Sequence, residues 1–186
     1  AGRHSRMIQP ATAAAVVGDF TKPSIVLRGR TYGLRRADGH YFITESTLGG
    51  RPVERRIDYT LGSRRIQHYL STLGDGRIVV LTPTWDVQRG QWFDNVEIIR
   101  PDQSDGTPVQ VWNRNCVGCH VSREERGYDA GAATYATSWQ DFGTSCERCH
   151  GDGQAHIAAT RSGATAASGD RTIVVPTRLD AARATA

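Results

Sequence analysis

The chain has little of several residues, and each scarcity limits what it can be. One lysine, Lys22, stands among 23 basic residues, so positive charge is carried almost wholly by arginine. There is one methionine, Met7, and there are four cysteines, all within Cys116–Cys149. No apolar run approaches the roughly 18–20 residues that cross a bilayer as a helix; the longest, Ala13–Val17, is far too short. The sequence therefore holds no transmembrane segment. Ala1 is not methionine, and no basic segment, apolar run and cleavage site follow it in order. Any signal peptide is already gone, and the chain reads as a mature protein or a piece of a longer one.

What is present fits a folded domain. The 186 residues suffice for one domain or two small ones with a real core. Hydrophobic residues make up 38%, charged residues 23%, and the mean hydropathy is −0.46, a balance typical of soluble rather than disordered or membrane-spanning chains. The net charge is +4, but the arginines are interspersed with 19 acidic residues rather than gathered into a stripe. That argues against a nucleic-acid partner. The plain reading of the arginine bias is a solvated surface; the functional one is bidentate pairing with carboxylates.

Residues 1–23 carry little regular pattern; the Ala-rich Ala11–Val17 predicts one short helix. Residues 24–108 read as β-rich. Ser24–Leu27, Thr31–Arg36, His40–Glu45, Val53–Tyr59 and Arg77–Thr82 are short runs of strand formers, separated by turn signals such as Asp38-Gly39 and Asp75-Gly76. Their spacing predicts an antiparallel meander. Ile66–Leu73 reads as a strand or short helix. Trp85-Asp86 and Trp92-Phe93 read as an irregular packed segment, and Asn95–Ile99 as a last strand. The polar loop Pro101–Pro108 marks a boundary. Residues 109–161 change character, with Ala132–Asp141 a predicted helix; residues 162–186 form a linker and C-terminal segment, with Leu179–Ala184 starting a helix. The expected class is α+β: an antiparallel β-rich N-terminal part followed by loops and short helices.

The chemistry concentrates between Cys116 and His150. All four cysteines lie there in two identical frames, Cys116-Val117-Gly118-Cys119-His120 and Cys146-Glu147-Arg148-Cys149-His150. Cys-x-x-Cys-His is the attachment frame of a c-type haem. Each thiol can form a thioether to a porphyrin vinyl group, and the following histidine is placed to reach the iron. Two frames predict two haems c, bound by Cys116, Cys119, Cys146 and Cys149, with His120 and His150 as proximal iron ligands. Four haem propionates would about offset the net charge of +4, and Arg114, Arg123, Arg126 and Arg148 are candidates to pair with them.

The main rival is a structural zinc held by four thiolates. Zinc so bound has no use for a histidine after each pair. At this chain's frequency of 6 histidines in 186 residues, two would fall there by chance on the order of one time in a thousand. Disulfide or thioredoxin-type redox fits less well, since the tight pairs sit in no βαβ pattern. The far face of each iron has its own candidates. With one methionine, at most one haem can be His/Met, so bis-histidine ligation is the default, with lower potentials. His156, beyond Gly151 and Gly153, is the first candidate, placed on a neighbouring haem; His4 is another. His68, in the predicted strand Ile66–Leu73, reads first as a hydrogen-bonded sheet histidine and stands as the weaker alternative.

These residues resemble a known family, the multihaem c-type cytochromes of the tetrahaem type related to nitrifier electron carriers, which include versions fused to tetratricopeptide repeats. The resemblance runs through His4-Ser5-Arg6-Met7-Ile8-Gln9-Pro10, Gln67-His68-Tyr69-Leu70, Trp85-Asp86, Trp112-Asn113, both frames and Gly151-Asp152-Gly153-Gln154-Ala155-His156. It implies closely stacked haems that pass electrons, a periplasmic or extracellular location, and distal ligation by His156 and His4. Relatives carry further frames before the segment matching His4 and after the one matching Leu179; this sequence has neither. That leaves a shortened two-haem member or a fragment of a longer haem wire. Its partners would be redox proteins or neighbouring haem subunits, in a homo-oligomer or filament. The other functional class is a multihaem oxidoreductase, with one open-faced haem reducing or oxidising a small nitrogen or oxygen compound.

Overall fold

The strand runs of the first hundred residues pair into two antiparallel sheets, and the shape of each follows from where its turns reverse the chain. The computed structural model describes residues 6–46, 50–98, 110–163 and 172–175. The expected loop at 101–108, the expected helix at 179–184 and His4 lie outside the described residues. Strand β1 (Ile8–Pro10) comes first. Strands β2 (Ser24–Leu27), β3 (Arg30–Ala37), β4 (His40–Glu45) and β5 (Val53–Arg56) then form a four-stranded meander in sequence order. Two of its reversals place consecutive residues at positive φ, Arg28 (47°) with Gly29 (77°) and Asp38 (50°) with Gly39 (77°). This is the backbone twist that matches two-residue hairpins.

The second sheet contains β1, β6 (Tyr59–Leu61), β7 (Ile66–Thr72), β9 (Pro83–Asp86) and β10 (Gln91–Asp94) in the order β1-β6-β7-β9-β10, with β8 (Ile78–Val80) also paired to β7. Strand β7 is its centre and is covered on both sides. Side chains alternate along a strand, so Tyr69 faces one way and Leu70 the other. Tyr69 joins Tyr32, Leu34, Tyr41, Ile43, Ile57, Val79 and Leu81 in the core against the first sheet. Leu70 joins Ile8, Ile78, Trp112, Val117 and Val121 in a second core. The segment carrying the first Cys frame is therefore packed on the same core as the β-rich segment.

Four local expectations are corrected. Ala11–Val17 is a turn, not a helix. Its backbone is held by Gln67, whose side-chain amide donates to the Ala15 carbonyl at 2.8 Å and accepts from the Val17 N–H at 2.8 Å. Trp85 and Trp92 lie in a hairpin as cross-strand partners with ring centroids 5.2 Å apart, not in an irregular segment. The described part of the expected strand at 95–99 is instead a 3-10 turn, Asn95–Glu97, capped by the Asp94 carboxylate on the Val96 N–H. The expected helix Ala132–Asp141 is replaced by a small hairpin, β11 (Tyr128–Asp129) with β12 (Thr134–Tyr135). There the Asp129 side chain accepts from the Gly131 and Ala132 N–H groups, and this local turn outcompetes a helix.

The chain is thus mostly antiparallel β with a few short helices. Among the described residues no helix is long and apolar enough to cross a membrane.

Candidate functional site

Helices α1 (Trp112–Asn115) and α2 (Val117–His120) carry the first frame. In α2 the N–H groups of Cys119 and His120 both return to the Cys116 carbonyl, at 3.1 and 3.2 Å. One helical turn thereby brings residues 116, 119 and 120 to a common side. The turn is anchored from below. Trp112 is fully buried, stacked edge-on against Trp139 with centroids 5.3 Å apart. Asn113, also fully buried, accepts from the Ile78 N–H at 3.1 Å and donates to the Gly76 carbonyl at 2.9 Å and the Thr137 hydroxyl at 3.1 Å. Gly76, at φ +78°, must be glycine, because a Cβ there would collide with the Tyr135 backbone.

A cleft of about 910 Å³ opens above this frame. Its walls include Cys116 and His120 from the frame, His68 from β7, Met7 beside β1, and the arginines Arg6, Arg64 and Arg65. Its position follows from strand alternation. His68 lies on the same face of β7 as Leu70, the face that packs Val117 of the frame. Burial pushes the pKa of the His120 imidazole down, and its Nδ1 is buried with no hydrogen-bond partner among the described residues. Burial, helped by the nearby His120, pushes His68 down to about 4. At neutral pH both rings are therefore uncharged, and each keeps a nitrogen lone pair. Burial and the adjacent Cys119 raise the Cys116 pKa, so that group is held as the thiol. The three arginines have no carboxylate partner among the described residues and supply positive charge at the cleft.

The second frame repeats the first locally. In α3 (Glu147–His150) the N–H groups of Cys149 and His150 return to the Cys146 carbonyl, at 3.2 and 3.0 Å. Gly151 ends the turn at φ +73°. The described C-terminal segment 172–175 lies against it: the Val174 N–H donates to the His150 carbonyl at 3.1 Å, and the His150 Nδ1 donates to the Val174 carbonyl at 2.7 Å. With Nδ1 engaged, Nε2 is the ring nitrogen of His150 left for an iron. Helix α4 (Gln154–Arg161) follows and contains His156, which is half-buried and is not among the residues lining the first cleft.

The two frames are clasped together. Arg123, just after the first frame, pairs with Glu147 inside the second; Arg148 inside the second pairs with Glu124 at 2.7 Å. Arg148 also donates to the carbonyl of Gly118, inside the first frame, at 2.5 Å. Thr144, just before the second frame, donates to the Cys119 carbonyl at 2.6 Å. Arg123 and Arg148, named above as candidates for haem carboxylates, here pair with Glu147 and Glu124 between the frames.

The donor set of each frame suits a covalently tethered haem. Each frame offers two thiols and one imidazole from a single helical turn. The four thiols are free, and among the described residues no three His, Cys, Asp or Glu side chains gather into a metal cage. Comparison with protein-family models, curated proteins and solved structures finds no match to this chain. Sequence reasoning missed Arg6, Arg64, Arg65, Glu124 and Glu147. For Arg64 and Arg65, the doublet after the Gly62 turn was the available signal; the others emerge only from the fold.

Proposed function

We propose that the chain is an electron-transfer protein carrying two covalent haems c, one on each Cys-x-x-Cys-His frame, and that it is a multihaem c-type cytochrome of the kind its motifs resemble. The observation that carries the proposal is the clasp: two frames with the same one-turn geometry, joined by Arg123–Glu147, Glu124–Arg148 and the Arg148–Gly118 hydrogen bond. Paired ions at partly exposed positions contribute little stability singly. Their use to hold two cofactor frames side by side fits a chain whose task is transfer between them.

When bound, the haem supplies one-electron redox chemistry. The protein does the rest. Cys116 and Cys119, and Cys146 and Cys149, would tether each group at two points. His120 and His150 present the imidazole nitrogens that would reach the iron, and the Val174 carbonyl fixes the His150 ring through its Nδ1–H. Arg6, Arg64 and Arg65 offer the first group guanidinium partners for its carboxylates. Because covalent haem attachment is chemistry of compartments outside the cytoplasmic membrane, the reading places the chain in the periplasm or beyond. The test is a spectroelectrochemical titration of protein made in a host that attaches haem c. Two reversible one-electron steps, with both haems low-spin, are expected. Absence of a haem spectrum, or a redox-inert one, would sink the proposal. A high-spin haem that turns over a small nitrogen or oxygen compound would favour the oxidoreductase instead.

A further inference from the structure

We infer that His68 is the second axial ligand at the first frame, facing His120 across the cleft, and that Thr84 is the positioning residue that sets its ring. The inference deepens the haem reading and rests on it. Histidine at the centre of a sheet is unremarkable when both ring nitrogens are satisfied by the protein. His68 is different on three counts. It is 9% exposed, and what it faces is the cleft that Cys116 and His120 also line. Its Nδ1 lies 2.9 Å from the hydroxyl of Thr84, a fully buried residue on the neighbouring strand β9. With Nδ1–H donating to that oxygen, Nε2 keeps its lone pair. This is the arrangement by which an outer partner fixes the tautomer and orientation of a metal-bound imidazole. The third count is register. Strand β7 carries Leu70 into the core that holds Val117, and two residues earlier the same face carries His68, level with Leu61 on β6, a further cleft residue. The alternation that buries Leu70 against the frame thus aims His68 at it.

Met7 is the competing side chain in the cleft. Its sulfur lies 3.7 Å from the Thr144 hydroxyl, whose proton goes to the Cys119 carbonyl at 2.6 Å. His156 is not a wall of this cleft and sits on α4 beyond the second frame. Bis-histidine ligation by His120 and His68 also suits a carrier, since it closes both faces to small ligands and gives a lower potential than His/Met.

The test uses the haem-loaded chain and begins with wild type. Its denatured mass reports covalent haem, and its ferric electron paramagnetic resonance and near-infrared spectra report spin and axial ligands. No covalent haem overturns the haem reading and this inference together. Covalent haem with a five-coordinate or sulfur-ligated iron at the first frame overturns the ligand assignment alone. Next, His68→Ala should turn one of the two haems high-spin and open it to carbon monoxide, and added imidazole should restore the low-spin spectrum. His68→Met fills the buried site and should stay folded, giving a sulfur–iron charge-transfer band and a raised potential at one haem. Thr84→Val should leave that haem low-spin but raise its potential, because the imidazole loses its hydrogen-bond acceptor. An unchanged spectrum in both His68 variants overturns the inference, as does a high-spin haem at the first frame in Met7→Leu or His156→Ala.

Discussion

The two frames share one sequence pattern and one local conformation but sit in opposite surroundings. The first rests on a buried platform: Trp112, Asn113, Val117 and Val121 are each fully buried, and a cleft with a second histidine faces it. The second has no fully buried residue in its helix. Both of its thiols are exposed, and it is held by ion pairs and the 172–175 segment. The local turn is therefore a property of the frame, while the quality of the site is a property of what lies beneath it. One site is pre-formed by the sheet; the other depends on surface contacts.

The largest expected effect breaks the platform. Trp112→Ala empties a fully buried indole site and should cost about 3–5 kcal/mol, read as a lowered denaturation midpoint and loss of the first-frame haem in preference to the second. Asn113→Ala comes next. It leaves the Gly76 carbonyl and Ile78 N–H without their partner, at about 1–3 kcal/mol, with the same first-frame bias in haem occupancy. Arg148→Ala should cost no more than about 1 kcal/mol, since the pair is partly exposed. Its signature is slower electron exchange between the haems, and the charge swap Glu124→Arg with Arg148→Glu should recover part of it. The smallest effect is expected for Ile157→Ala on α4, a half-exposed position, where stability should change by less than about 0.5 kcal/mol with both haems retained. If Trp112→Ala strips both frames equally, the contrast between a platform site and a surface site is wrong.

This contrast also explains how much was legible beforehand. Strands β2, β3 and β4 could be read because alternation and turn residues are local signals, and Asp38-Gly39 announces its own reversal; for β7 the sequence left strand and short helix open. The helices expected at 11–17 and 132–141 failed because their backbone groups found other partners. At the first it is Gln67, some fifty residues away; at the second it is the Asp129 carboxylate nearby. Both frames were visible as motifs. The cleft was not, because it joins Met7, His68 and His120 from distant parts of the chain. His68 looked like a sheet histidine, and it is one on its Nδ1 side; only the register of β7 reveals that the same ring faces the frame. The contacts of Arg148 were hidden for a similar reason: its acceptors, Glu124 and Gly118, are adjacent only after folding.

The central claim is that each frame holds one covalent haem. The most direct measurement is the denatured intact mass of wild type beside the Cys116→Ser/Cys119→Ser and Cys146→Ser/Cys149→Ser double variants, all made in a haem-attaching host. Two haem increments in wild type and one in each variant are predicted. A wild-type mass equal to the bare polypeptide, or one haem that persists in only one of the two variants, would contradict it.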